Sequence, residues 1–440
     1  GQIGIGSTSG VDVSSPEYTS IKSTRTIESM GLGISHTCFI IDTSELKCWG
    51  ANFEGALGDG TTNSSSTPVN PSLPTGVIPI DVVAGPHPVN EASTFSPGKT
   101  CVLTLADGVY CWGDSWGGEY NLSNITTPFK IPNSEDFIQI DSRGHFACAI
   151  NTTNAVFCWG DNGAYILDGT DQQNDSRIPV LIELDNNTMQ ASSIHAGSYG
   201  VCAILLNGSV ACWGSNYDNH LGSNWTYGNP INYLNSYLLT PTLIEDFGQN
   251  YNAIDVGIGE GHACIVFENG SITCFGSNNW GQMGVPTGSQ NNYRMNRVPL
   301  NLTDPNTSYN HSNVVSVESG SQHTCAIDEE DYIVCWGRNG HGETGRGAPN
   351  SPSLPWMVST ISYPIIEGTT RFKVSDIALG SHHTCAVTLN GSDAYCWGYN
   401  GWSQLGIGHS SNHGHVETSQ VIILNLDSGP SATISPDSDY

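Results

Sequence analysis

The chain has 440 residues, with 41 acidic against 13 basic side chains and a formal net charge of −28. A surface this acidic repels phosphate backbones, which argues against any nucleic-acid partner, and no apolar run approaches the length of a membrane helix. Its length would allow two or three domains, but internal repetition overrides that expectation.

In chain order, the first segment is residues 1–27, where Gly1-Gln2-Ile3-Gly4-Ile5-Gly6 matches the Gly-Gln-Leu-Gly-x-Gly turn of later repeats rather than the start of a blade. It is a spare half-repeat. Two readings stand open for it: a cut from a longer polypeptide, or a strand that closes a ring or pairs with another subunit. No charged-then-apolar opening is present, so a leader is expected to have been removed. Residues 28–424 then hold seven repeats about 50–60 residues apart. Several begin with a short apolar strand (Ile254-Asp255-Val256, Val314-Val315-Ser316-Val317). A Gly-x-His-Thr-Cys type segment follows, as at Ser35-His36-Thr37-Cys38, Gly261-His262-Ala263-Cys264, Gln322-His323-Thr324-Cys325 and His382-His383-Thr384-Cys385. Next come a hairpin, Cys-Trp-Gly-x-Asn, a Gly-Gln-Leu-Gly-like turn, a long loop and a last strand such as Val358–Ile361 or Val421–Leu424. Residues 425–440 form a polar tail. Four short strands per repeat with Gly-, Pro- and Asn-rich connections predict an all-β, seven-bladed propeller.

All fourteen cysteines fall into local pairs: Cys38 with Cys48, Cys101 with Cys111, Cys148 with Cys158, Cys202 with Cys212, Cys264 with Cys274, Cys325 with Cys335, and Cys385 with Cys396. The intervening sequence reads strand, turn, strand, with Asn207-Gly208, Asn269-Gly270, Asn390-Gly391 and Asp107-Gly108 marking the turn. Folding about that turn sets the two cysteines opposite each other, within disulfide reach. Zinc is the competing reading, but no Cys-x-x-Cys pair occurs. One disulfide per blade places the protein in an oxidising compartment: secreted, extracellular or on a cell surface.

The His-Thr-Cys, Cys-Trp-Gly-x-Asn and Gly-Gln-Leu-Gly elements resemble the regulator-of-chromosome-condensation repeat, which implies a seven-bladed β-propeller. The resemblance covers nearly the whole chain. Repeats two to four depart from it, with Lys99, Phe146 and Gly200 where His is usual and His145 one place early. Their turns decay to Gly163-Ala164-Tyr165-Ile166 and His220-Leu221-Gly222. The family's nuclear members bind chromatin and a small GTPase. An acidic, disulfide-rich chain makes nucleotide exchange and histone binding poor fits.

Asn-x-Ser/Thr acceptor sites occur at Asn63, Asn121, Asn124, Asn151, Asn174, Asn186, Asn207, Asn224, Asn269, Asn301, Asn306, Asn310 and Asn390. Most fall in expected turns or loops, so N-glycans are expected as covalent partners if the source is eukaryotic. His36, His262, His323 and His383 are expected near a central channel as repeat architecture, with no metal or cofactor. Trp49, Trp112, Trp159, Trp213, Trp336 and Trp397 are expected between blades. The loop from Ser223 to Thr240 carries Trp225, Tyr227, Tyr233 and Tyr237, a set suited to sugar stacking or protein contact. Asp161, Asp168, Asp171 and Asp175 fit no calcium-loop signature and read as a solvated loop. Phosphate-loop, zinc-protease and serine-hydrolase motifs are missing, so no catalytic residues are assigned. The sequence points to a non-enzymatic extracellular structural or assembly protein, a repeating subunit of a glycosylated filament or coat that self-associates through its terminal segments. The alternative is a secreted protein- or glycan-binding module.

Overall fold

The computed structural model describes residues 26–405 except 43, 87–97, 115–124, 168–173, 185–186, 217–219, 223–236, 245–251, 285–297, 300–312, 346–358, 363–372, 390 and 392–393. The terminal segments, the loop residues Trp225, Tyr227 and Tyr233, and the acceptor sites Asn121, Asn124, Asn186, Asn224, Asn301, Asn306, Asn310 and Asn390 lie outside the described residues.

The fold is a seven-bladed, all-β propeller. Blade 1 runs from its inner strand Ile27–Leu32 through His36–Ile41 and Glu45–Gly50 to the outer strand Ser65–Val69, each antiparallel to the last. Blades 2 to 6 repeat the four-stranded meander, and three strands of blade 7 are described. A small hairpin, Glu183–Leu184 with Asn187–Thr188, sits between blades 3 and 4.

The residues explain the meander. Each second strand carries its cysteine in a largely apolar run, and every residue from His36 to Ile41 is buried. In every blade the register between inner and second strand slips after the first pair, a repeated β-bulge that bends the inner strand around the axis. The glycine after the third-strand tryptophan, or after Phe275 in blade 5 (Gly50, Gly113, Gly160, Gly214, Gly276, Gly337, Gly398), has φ of 101–115°, which the side chain of any other residue would strain. It turns the third strand away just after that aromatic residue.

All seven expected disulfides form, with each cysteine paired in register to its partner and Cα atoms 4.0–4.1 Å apart. Closing a ten-residue loop contributes about 2–3 kcal/mol each, mainly by restricting the unfolded chain. The apolar core is divided into clusters that sit between blades rather than inside them, one at each of the seven seams. The seam of blades 7 and 1 joins Met30, Phe39 and Trp49 to Cys385, Val387 and Leu405, so packing closes the ring.

Candidate functional site

Four seams share one hydrogen-bonded relay. Histidine Nε2 lies 2.9 Å from threonine Oγ1 for His36 and Thr100, 2.8 Å for His262 and Thr324, 2.9 Å for His323 and Thr384, and 3.0 Å for His383 and Thr37. Each threonine hydroxyl donates its single proton to a turn carbonyl of the preceding blade, that of Ala56, Gln282, Glu343 or Gln404. The hydroxyl oxygen must therefore accept from the imidazole, which fixes the Nε2–H tautomer. The same four carbonyls also accept from the indole N–H of Trp112, Trp336, Trp397 and Trp49. Burial keeps the rings neutral, lowering His36 to about 4 and His262 and His383 to about 3, and pushing His323 well down.

These histidines thus lie in the seams between blades, not along the channel where the sequence placed them. The glycine three residues earlier makes the room. A Cβ on Gly33, Gly259, Gly320 or Gly380 would stand 2.3–2.4 Å from the imidazole Cε1. The tryptophans do pack between blades, as expected.

At the other three seams both relay partners are replaced together. Lys99 and Ala147, Phe146 and Val201, and Gly200 and Ala263 hold the histidine and threonine positions there, and Lys99 Nζ donates to His145 C=O at 3.0 Å. Phe275 also stands where blade 5 would carry its tryptophan. The largest of the apolar clusters lies here, between blades 3 and 4. In blade 3 the turn is read two residues too early from sequence. Leu167 N–H donates to Asn162 Oδ1 just as Leu57 N–H donates to Asn52 Oδ1, so Tyr165, Ile166 and Leu167 match Gly55, Ala56 and Leu57. Tyr165 takes the positive φ, 60°, in place of glycine.

The central channel, a cavity of about 330 Å³, is lined by Asp81, Asp141, His195, Glu318 and Asp376 from the inner strands. Its polar side chains stitch adjacent blades. Asp141 accepts from Ala196 N–H at 2.7 Å, Asp255 from Val317 N–H at 2.8 Å, and Ser29 Oγ from Val82 N–H at 3.0 Å while donating to Asp81. Burial raises Asp81, Asp141 and Glu318 above the usual carboxylate range and Asp376 to about 6. Arg143 of blade 3 crosses the channel end and donates to the carbonyls of Ile258, Ser319 and Leu379 in blades 5, 6 and 7. Nothing in the sequence singled this arginine out. Among the described residues no cluster of three His, Cys, Asp or Glu side chains could hold a metal ion.

The opposite face carries the hairpin tips and the start of each inner strand. Ile80, Ile138, Ile254 and Val315 occupy one register position in four blades, and all are exposed. Leu105, 64% exposed, adds a tip beside them, and its N–H donates to Ile78 C=O at 2.9 Å. Ile78, Ile80, Leu105 and Ile138 therefore form an apolar sector on blades 2 and 3. The described acceptor sites Asn63, Asn174, Asn207 and Asn269 are exposed. Asn151 is a correction. It is 7% exposed, its amide donates to Asp136, and its carbonyl accepts from Thr153 and Ala155, so the folded ring leaves its nitrogen no room for a glycan. Tyr237 is exposed at the start of an outer strand, with Tyr165 edge-on at 4.5 Å between ring centroids. Asp161 and Asp175 are spent on backbone N–H groups of Gly163 and Asn162.

Two family descriptions, both "Regulator of chromosome condensation (RCC1) repeat", match residues 314–343 with 374–402 and residues 269–327. The chain is 23% identical over 431 residues to a bifunctional serine/threonine-protein kinase/NEDD4-like E3 ubiquitin-protein ligase of Dictyostelium discoideum, covering 97% of this chain and 21% of that protein. It is 24% identical over 424 residues to the ultraviolet-B receptor UVR8 of Arabidopsis thaliana, covering 94% of this chain and 87% of the receptor. The fold is similar to that of human WBSCR16, with a TM-score of 0.65 at 16% identity, covering 82% and 87% of the two chains.

Proposed function

We propose that this chain, a seven-bladed propeller of the regulator-of-chromosome-condensation repeat type, is a non-enzymatic extracellular interaction module that serves as a structural subunit. Seven disulfides with no free cysteine among the fourteen support an oxidising compartment. The observation that carries the docking role is the apolar sector Ile78, Ile80, Leu105 and Ile138. Exposed apolar side chains grouped on neighbouring blades mark an interaction surface. The sector also stays clear of sugar: blade 2 has Asp107-Gly108 at its tip, and the acceptor site near the blade 3 tip, Asn151, is blocked. Asn207 and Asn269 leave room for glycans on the tips of blades 4 and 5.

The partner is a protein less acidic than this one, since two surfaces of net charge −28 repel each other face to face. Growth into a filament or coat belongs to the terminal segments, for which the sequence is the support: a spare turn motif at 1–6 and a polar tail at 425–440. The test is the size of native, unreduced material. Assemblies larger than one ring are expected, and Leu105→Asp with Ile138→Asp should release the docked partner without changing disulfide content. Single rings only, in wild type and variant alike, would reject the proposal.

A further inference from the structure

On the face opposite the tips, a hollow of about 390 Å³ opens between blades 4, 5 and 6. It exists because blade 5 carries small residues where blades 6 and 7 carry large ones. Gly261 and Ser277 hold the positions of Gln322 and Arg338 in blade 6 and of His382 and Tyr399 in blade 7. In those blades the space is filled. Arg338 donates to Gln322 Oε1 at 2.8 Å, and Tyr399 packs on His341 with ring centroids 4.9 Å apart.

A second observation points to a ligand. His220 lines the hollow, is 2% exposed, and has no hydrogen-bond partner on either ring nitrogen. Among the described residues it is the one histidine with both ring nitrogens buried and unmet; each relay histidine has Nε2 on a threonine. Buried polar groups are nearly always satisfied, by protein, water or ligand. The imidazole is neutral, held down to about 4 by burial, so one nitrogen donates and the other accepts, the pattern a sugar hydroxyl answers.

The walls complete the chemistry. Tyr199 and Trp280 supply aromatic surface, Asn279 and Gln322 amides, and Glu260 one carboxylate, with no cationic side chain in the lining. The guanidinium of Arg338, 5.0 Å from the Trp280 ring centroid, holds the indole in place. Acidic sugars are disfavoured by Glu260 and by the overall charge. The volume lies at the small end of ligand pockets, about 300–1,000 Å³, enough for one or two sugar rings.

We propose that the hollow over blade 5 binds a neutral, hydroxyl-rich ligand of one or two sugar units, with His220 in its wall offering an unmet ring nitrogen. The site is independent of the tip-face docking, being on the other side of the ring.

The experiment is NMR of the oxidised full chain with labelled histidine, titrated with glucose, galactose, mannose, xylose and N-acetylglucosamine to about 10 mM, and in separate arms with released N-glycans and tetramethylammonium. His220, identified by loss of its signals in His220→Phe, should shift with at least one neutral sugar while His36, His262, His323 and His383 stay put. Whether free sugars or released glycans bind more tightly identifies the source. Trp280→Ala should weaken the response at least about tenfold. Gly261→His with Ser277→Tyr, the blade 7 pair, should fill the hollow and abolish it while all seven disulfides and the melting midpoint are retained. No shift with any sugar, an equal shift in the filled variant, or a response to tetramethylammonium alone would overturn the proposal.

Discussion

From blade 5 through blades 6, 7 and 1 to blade 2, four seams are joined by the same histidine, threonine, tryptophan and turn carbonyl. From blade 2 to blade 5 the three remaining seams drop the histidine and the threonine together; apolar contact fills their place, while Lys99 still donates to His145 C=O and the Trp213 indole N–H to Ile166 C=O. The difference teaches why the losses are paired. A lone buried N–H or hydroxyl costs about 1–3 kcal/mol, whereas replacing both partners by apolar groups is close to neutral. The two arcs meet at blades 2 and 5, and the hollow with the unmet imidazole opens at blade 5. Arg143 ties the arcs together across the channel, from blade 3 to the carbonyls of blades 5, 6 and 7.

The largest effect expected is from the polar arc. Trp336→Ala removes a fully buried indole and leaves the Gln282 carbonyl one donor short, at a cost of about 3–5 kcal/mol in chemical denaturation. Arg143→Met strips the donor from three buried carbonyls and should cost about 2–4 kcal/mol, with the loss felt in both arcs by hydrogen exchange. A smaller cost in that variant than in a rim Arg177→Met control would break the idea of a cross-tie. Thr324→Val leaves His262 Nε2–H unpaired and should cost about 1–3 kcal/mol, but His262→Phe with Thr324→Val, which copies the Phe146 and Val201 seam, should recover most of it. Additive losses in the double variant would contradict the paired logic.

The last effect is one of pH. In the folded ring His262 holds its proton only below about 3, whereas an unfolded histidine titrates near about 6.5. Its contribution to stability is therefore complete above about pH 6.5 and is lost as pH falls toward 3, by up to about 1.4 kcal/mol per pH unit. The buried channel acids act in the opposite sense. Asp376, raised to about 6, destabilises the ring at neutral pH, and acid relieves this. The double variant His262→Phe with Thr324→Val should therefore lose stability on acidification more slowly than wild type by about one proton's slope. Identical pH profiles would remove the relay from the account.

The blades and disulfides were legible because their partners are neighbours in sequence: Cys38 and Cys48 face each other across one hairpin. The seams were not, since Thr100 is 64 residues from His36 and Thr37 is 346 from His383. Setting the seven repeats in columns would have shown the signal, because Ala147, Val201 and Ala263 each follow a repeat without its histidine. The glycine three places before each histidine belonged to the same column. The tip face was hidden by the bulge, which shifts the inner strand and turns Ile80 and Ile138 outward from an apolar stretch that reads as core. Arg143 and the hollow were invisible for another reason. One is a single side chain reaching across the ring, and the other is defined by residues too small to leave a motif, Gly261 and Ser277.

Hydrogen exchange read by mass spectrometry, comparing the oxidised ring in its partner-docked assembly with the same ring freed of that partner, tests the interaction-module account most directly. Slower exchange in the assembly confined to the tip-face segments around Ile78–Asp81, Leu105–Gly108 and Phe137–Gln139 is the result expected. Uniform exchange across both faces, or protection on the His-turn face alone, would contradict it.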